Sequence, residues 1–197
     1  MIEWLEHIDR TIFFFINTKH TAWLDIVMMY ITKIYIFAPL FVYWLLMTYD
    51  KFPGKRFLLV LAYIVLLITL TDQSATITKN NYQRYRPTHN VEIGHKVHVV
   101  DEYRGGQYGF FSGHASNTFG IATFLFLIFK RRSGLFRITF FLWAGLIAYS
   151  RIYLGVHYPS DIFVGMCTGI LWGFVVYKLF IYSLKYFFPE KDESHLF

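Results

Sequence analysis

An all-α integral-membrane helical bundle is predicted for this chain, with one domain spanning residues 1–197. Three observations predict it. Apolar residues make up 55% of the sequence and gather into long runs separated by short polar loops. Aromatic residues reach 21%, with 22 Phe and 15 Tyr, a composition usual for chains that meet lipid. The cations behind a formal charge of +6 sit in short clusters between apolar runs. They form no basic helix or RNA-reading motif, so membrane orientation rather than nucleic-acid binding accounts for them.

Residues 1–20 place Trp4, Leu5, Ile8, Ile12 and Phe13 to Phe15 near helical spacing among charged residues. This predicts a short N-terminal helix, either lying in the membrane interface or packing as a first helix on the bundle. The first twenty residues carry Glu3, Glu6, Asp9 and Arg10 and lack a small-residue cleavage site, so no cleavable signal peptide is expected. The first span is predicted over 24–49. It includes Asp25 and Lys33, which must snorkel or face protein. The loop Asp50–Arg56 carries Lys51, Lys55 and Arg56 around Pro53-Gly54, a turn signal.

The second span is predicted over 57–78. It is apolar to Leu70 and ends in the polar TDQSATIT, where Asp72 is either a functional group at a wet cavity or a satisfied structural carboxylate. Residues 79–113 form one long loop; a loop of this length in a compact domain is usually functional or disordered, the alternative being a plain connector. Further spans are predicted over 114–129, 135–153 and 161–184, for about five in all plus the interfacial helix. The single Cys167 lies in an apolar run, so no intramolecular disulfide forms. Lys185, Glu190, Lys191, Asp192 and Glu193 follow the last span.

Five spans put loops 50–56 and 130–137 and the C-terminus on one side. Dense positive charge in short loops marks that side as cytoplasmic. The long loop and the stretch 150–159 then lie on the outer, periplasmic face.

Three polar clusters sit at span ends on that outer face. The first, over 79–87, sets Lys79 and Arg86 seven residues apart before Pro87. On a continuous helix they would share a side, two turns apart, and could hold two oxygens of one phosphate. The second is Ser112-Gly113-His114. Glycine at a helix start lets backbone N–H groups approach an anion, Ser112 adds a hydroxyl, and His114 can either give a proton to a leaving oxygen or serve as a structural hydrogen-bonding group. The third, SRIYLGVHYPSD over 150–161, holds Arg151, His157 and Asp161. If a helix opens near Pro159, Asp161 reaches the His157 ring, fixes its tautomer and leaves the other nitrogen as a nucleophile. Arg151 offers a planar fork of donors for phosphate oxygens. Each cluster alone could be a chance set of polar residues at a helix mouth. Together they supply what metal-free phosphoryl transfer requires: cations, an in-line nucleophile and an acid.

Lys-x6-Arg-Pro, Ser-Gly-His and Ser-Arg-x5-His-x3-Asp, in this order, resemble the three signature motifs of the type 2 phosphatidic acid phosphatase superfamily, membrane lipid phosphatases related in site architecture to vanadium haloperoxidases. One departure is Phe111, where the family usually has Pro. The resemblance implies that His157 attacks phosphorus and becomes phosphohistidine. Asp161 orients and charges that ring, and His114 protonates the leaving oxygen and then activates water. Lys79, Arg86, Arg151, Ser112 and the Gly113 N–H bind the phosphate. Nothing in the residues suggests a metal or cofactor, and none is expected: Asp161 is the only carboxylate in the three motifs, and Mg²⁺ sites usually want one or two beside the substrate phosphate.

The partners expected are a lipid phosphate substrate and membrane lipids. The substrate expected first is undecaprenyl diphosphate, by length and layout. The 1- or 4'-phosphate of lipid A is next, and phosphatidylglycerophosphate or phosphatidate are alternatives. Two other classes compete: a vanadate-dependent oxidant, opposed by the five spans, and a non-catalytic lipid-phosphate binder or transporter, opposed by the presence of both His114 and His157.

Overall fold

A computed structural model describes residues 3–189. The charged tail with Glu190, Lys191, Asp192 and Glu193 lies outside them. The named elements among the described residues are all helices: α1 (Glu3–Asn17), α2 (Ala22–Ile31), α3 (Ala38–Lys51), α4 (Lys55–Tyr82), α5 (Gly113–Ile128), α6 (Gly134–Tyr153) and α7 (Pro159–Phe187), with short 3-10 turns at 34–37, 87–89 and 94–96. α4, α6 and α7 are each long and apolar enough to cross a membrane, and α2 with α3 would make a fourth span.

The first span differs from expectation. It is not one helix: α2 and the 35–51 segment meet at a 74° bend. The break falls at Ile34–Phe37, which is as apolar as its flanks, so hydropathy cannot see it. Asp25 does not snorkel. It faces protein, accepting from the Tyr153 hydroxyl at 2.6 Å, with His98 Nε2 at 3.0 Å.

α5 is the axle. It packs on α4, α6 and α7, and most of its 16 residues are buried. At 1.5 Å per residue, 16 residues fall short of the ~20 a free-standing span needs. α7 carries Gly165, Gly169 and Gly173 on the face that meets α5. A Cβ at these positions would come within 2.6, 2.3 and 2.6 Å of the carbonyl oxygens of Ser112, Ser116 and Gly120. The two backbones therefore touch, as small-residue seams allow in membrane helices. In the half of the bundle away from 83–112, the core is aromatic. Trp44 lies 4.9 Å from Phe140 and 5.4 Å from Trp143, and Phe180 lies 5.5 Å from Phe52 and 5.6 Å from Phe124, centroid to centroid.

α1 reconciles both readings of the N-terminus. Asp9, Phe13 and Asn17, spaced four apart, form a buried stripe that docks on the bundle, while Trp4, Ile8, Ile12 and Phe15 stay exposed. Further polar stitches join α1 and α2 to the rest: Asn17 Nδ2 donates to the carbonyls of Tyr153 and His98, and Thr32 Oγ1 accepts from Arg151. The basic loops gather at one end, as expected. Lys51 lies over the Phe129 ring and close to Lys130, Arg131 and Arg132, and Arg56 lies over Phe188.

Candidate active site

The three clusters converge where α4 ends and α5 and α7 begin. Tyr158 is the N-cap of α7 and Pro159 opens it. Asp161 at N3 turns its carboxylate back, so that Oδ2 accepts from the Tyr158 N–H at 3.0 Å and lies 3.3 Å from His157 Nδ1. Gly155, at φ +76°, makes the turn between α6 and this cap, and a Cβ there would strike Val97 at 2.6 Å. The expected reach of Asp161 to His157 is therefore present.

Arg86 identifies the tautomer. Its Nη1 lies 3.2 Å from His157 Nε2 and donates to the Val156 carbonyl at 3.1 Å. A guanidinium only donates, so Nε2 is the acceptor and Nδ1 carries the proton toward Asp161. Nε2 thus carries the lone pair, which faces Arg86. Burial holds the His157 imidazole well below its ordinary pKa, and the nearby cations Arg86, Arg151 and Lys79 push it the same way. Both effects favour the neutral imidazole over the imidazolium.

One detail corrects the sequence reading. Lys79 and Arg86 do not share a helix face, because α4 stops at Tyr82 and Gln83 turns left-handed at φ 50°. Residues 84–86 then run extended against 107–109. Arg86 N donates to Gln107 O at 3.1 Å, Gly109 N donates to Arg84 O at 2.8 Å, and Tyr85 and Tyr108 bridge. Alternation along that extended piece sends Arg84 and Arg86 to one side and leaves Tyr85 exposed.

Arg84 is the residue the sequence reading missed. Its Nη1 bridges Ser160 Oγ and Asp161 Oδ1, both at 2.7 Å, its Nη2 meets Asp9 Oδ2 at 2.6 Å, and its guanidinium lies 4.1 Å over the Tyr158 ring. Burial pulls its pKa down, but Asp161 and Asp9 carry it above the ordinary arginine value. The available signal was the alternation Arg84-Tyr85-Arg86, with period two rather than 3.6.

The remaining expected residues are placed as follows. Arg151, 2% exposed, gives Nη2 to Tyr103 OH at 2.9 Å and Nη1 to Thr32, while its Nε is buried with no partner among the described residues. Ser112 caps α5, accepting from Ala115 N at 3.3 Å, and its own N–H donates to the Asp161 carbonyl at 3.0 Å. Gly113 opens α5, with Lys79 Nζ 3.5 Å and Asp72 Oδ1 3.8 Å from where its Cβ would be. Asp72 therefore stands with Lys79 at the positive end of α5. His114 is exposed and electrostatically close to Arg151, His157, Arg86 and Lys79. The arrangement offers a nucleophilic nitrogen, a carboxylate behind it, cations on one side and a second imidazole.

Away from this site, His20, Asp25 and His98 bring ligand atoms within 4.8 Å of one another. The two imidazoles stack face to face, 3.6 Å apart and 3° from parallel. Lone pairs lie in the ring planes, so one ion cannot sit in both; His98 hydrogen-bonds Asp25 and His20 stacks on His98.

Residues 56–185 match the PAP2 superfamily. The chain is 31% identical over 197 residues to the lipid A 4'-phosphatase of Porphyromonas gingivalis, covering 98% of this chain and 82% of that one. It is 35% identical over 179 residues to the lipid A 4'-phosphatase of Bacteroides thetaiotaomicron, covering 90% and 79%. Among solved structures, LpxE of Aquifex aeolicus superposes with a TM-score of 0.65 at 26% identity, over 85% of this chain and 93% of that one. A PAP2-type phosphatidylglycerolphosphate phosphatase of Bacillus subtilis superposes with 0.67 at 23% identity, over 93% and 89%, a likeness of fold.

Proposed function

The chain belongs to the PAP2 superfamily, and from that premise we propose that it removes the 4'-phosphate of lipid A at the outer face of a bacterial inner membrane. That it is a membrane lipid phosphatase, a phosphoric monoester hydrolase acting on a lipid phosphate, follows from the family and the relatives. The observation that carries the choice of lipid is the near full-length match to two lipid A 4'-phosphatases. Undecaprenyl diphosphate, the substrate expected first from the sequence, finds no support among those relatives and gives way to lipid A.

In this reading His157 Nε2 attacks phosphorus, the bond from phosphorus to the sugar oxygen breaks, and His114 gives that oxygen its proton. Asp161 balances the charge the ring acquires. Water, deprotonated by His114, then attacks the phosphohistidine, releasing phosphate and restoring His157. Lys79, Arg86, Arg151, the Ser112 hydroxyl and the Gly113 N–H hold the phosphoryl oxygens, cations being the main source of stabilisation in such transfers. No step requires a metal, so activity is expected to persist in EDTA.

The orientation rests on the basic loops gathered opposite the site. In a Cys167→Ser background, a cysteine at the exposed Val91 should react with a membrane-impermeant thiol reagent in spheroplasts, and one at Arg132 only after permeabilisation; the reverse pattern refutes the orientation.

Purified protein in detergent is offered lipid A carrying both phosphates, undecaprenyl diphosphate and phosphatidylglycerophosphate. Phosphate release from lipid A with the 1-phosphate retained is expected. Preferential loss of the 1-phosphate, or turnover of the polyprenyl lipid alone, overturns the assignment. Binding of all three without release would make the protein a lipid-phosphate binder.

A further inference from the structure

α1 lies outside the 56–185 stretch that matches the family, yet one of its side chains enters the site. Asp9 is 5% exposed. Its Oδ2 accepts from Arg84 Nη2 and from the Ser160 hydroxyl, both at 2.6 Å, and its Oδ1 accepts from the Ser160 N–H at 2.8 Å. We propose that Asp9 is a positioning residue for catalysis, fixing Arg84, through it Asp161, and through Asp161 the ring of His157. The inference rests on the reading of His157 as the nucleophile.

Geometry carries the argument first. Asp161 Oδ2 is engaged by Tyr158 N and His157 Nδ1, and Oδ1 by Arg84 Nη1. The rotamer of Asp161 is therefore set from the other side of its carboxylate by Arg84. Arg84 enters from an extended strand piece at 84–86 and has two ends to satisfy. Nη1 serves Ser160 and Asp161, and Nη2 serves Asp9. A planar fork held at both ends keeps its plane. Take the Asp9 end away and Nη2 is left buried without its carboxylate, which favours rotation of the whole group away from Asp161.

Charge carries it second. Asp9, Arg84 and Asp161 together hold one net negative charge behind His157. When Nε2 bonds phosphorus the ring becomes cationic, and that net charge stabilises it in a site where little water screens the interaction. Without Asp9 the group behind the ring is a neutral pair. The cations facing the phosphate, Lys79, Arg86 and Arg151, are not Asp9 partners. The loss should therefore fall on transfer to His157 rather than on substrate binding.

The test compares Asp9→Asn, Arg84→Lys and the double variant with Asn17→Ala, all full-length in detergent on the same lipid phosphate. Asparagine keeps the volume of Asp9 and removes its charge. Lysine keeps the charge of Arg84 but cannot span two carboxylates. Asp9→Asn is expected to lower kcat at least about tenfold with KM within about twofold. The double variant should be no worse than the worse single one, the mark of two residues acting along one path. Asn17, on the same buried stripe of α1 but bonded to Tyr153 and His98, reports docking alone, and Asn17→Ala should lower Tm with kcat within about twofold. A wild-type kcat in Asp9→Asn overturns the inference. So does a parallel fall of kcat in Asn17→Ala, or independent multiplication of the two single losses. Activity surviving His157→Ala would instead remove the reading on which the inference rests, so the two failures are distinguishable.

Discussion

The two halves of the bundle are built from the same helices by different forces. Away from the site, Trp44, Phe140, Trp143, Phe52, Phe124 and Phe180 pack ring against ring. Such contacts are broad and weakly directional, worth ~0.5–1.5 kcal/mol per aromatic pair beyond burial. At the site end Asp9, Arg86, Arg151, His157 and Asp161 are buried beside the half-buried Arg84, and nearly every donor has a named acceptor. There a removed partner leaves a buried charge or donor unpaired, which costs more than the contact was worth. One half is thus held by broad ring packing and the other by specific polar contacts, with the α5–α7 glycine seam joining them.

The largest effect should come from His157, the proposed nucleophile. His157→Ala is expected to lower kcat by at least about 10⁴-fold, as for a covalent nucleophile, with a Tm in detergent close to wild type; phosphate release near the wild-type rate from the folded variant would refute the assignment. The seam is the next place to break the division. Gly169→Ala puts a methyl where Ser116 O would lie at 2.3 Å, so α5 and α7 must part. Because α5 carries Ser112 and His114 and α7 carries Asp161, a shift near 1 Å should cost about 10²-fold in kcat, along with a lower Tm. A change in Tm alone would mean that the seam serves stability only.

Phe180→Ala should sharpen the contrast from the other side. Phe180 is fully buried, so its truncation should cost ~3–5 kcal/mol of stability, read as a lower Tm, while kcat per folded molecule stays within about twofold. A tenfold fall in kcat would show that the aromatic half sets the geometry of the site.

The smallest effect is a pH dependence. The buried His157 has a folded pKa below its ordinary 6.5. As pH falls through 6.5 toward the folded value, the unfolded chain binds a proton that the folded chain refuses, so stability is present above 6.5 and drains away below it. His157→Ala removes that term. Its Tm should decline less than that of wild type between pH 7 and pH 5; identical slopes would mean that His157 titrates normally.

Much of this was legible in the sequence because the chemistry sits at helix ends, where composition changes abruptly. Pro159 and Asp161 announce a helix start, and the contact from Asp161 to His157 follows from spacing alone. Three things were not legible. The break at 34–37 is hidden in apolar residues, and only Pro39, in the first turn of α3, marks a new helix start. Arg86 was read along a continuing helix, and nothing local says that Gln83 turns left-handed. Asp9 and Arg84 meet across a long loop of chain, and no periodicity encodes a partner that far away.

The polar stitches from α1 and α2 have a consequence for how the protein is made. Asp9 meets Ser160 across 151 residues, Asn17 meets Tyr153 across 136, Asp25 meets Tyr153 across 128 and Thr32 meets Arg151 across 119. The N-terminal helices leave the ribosome first, and their partners are among the later segments to emerge. Contacts of such separation close late because the loop entropy must be met before they form. Until the stretch 150–161 has emerged, α1 and α2 lack these partners and the site lacks Arg151, His157 and Asp161, so the site can be assembled only late in synthesis.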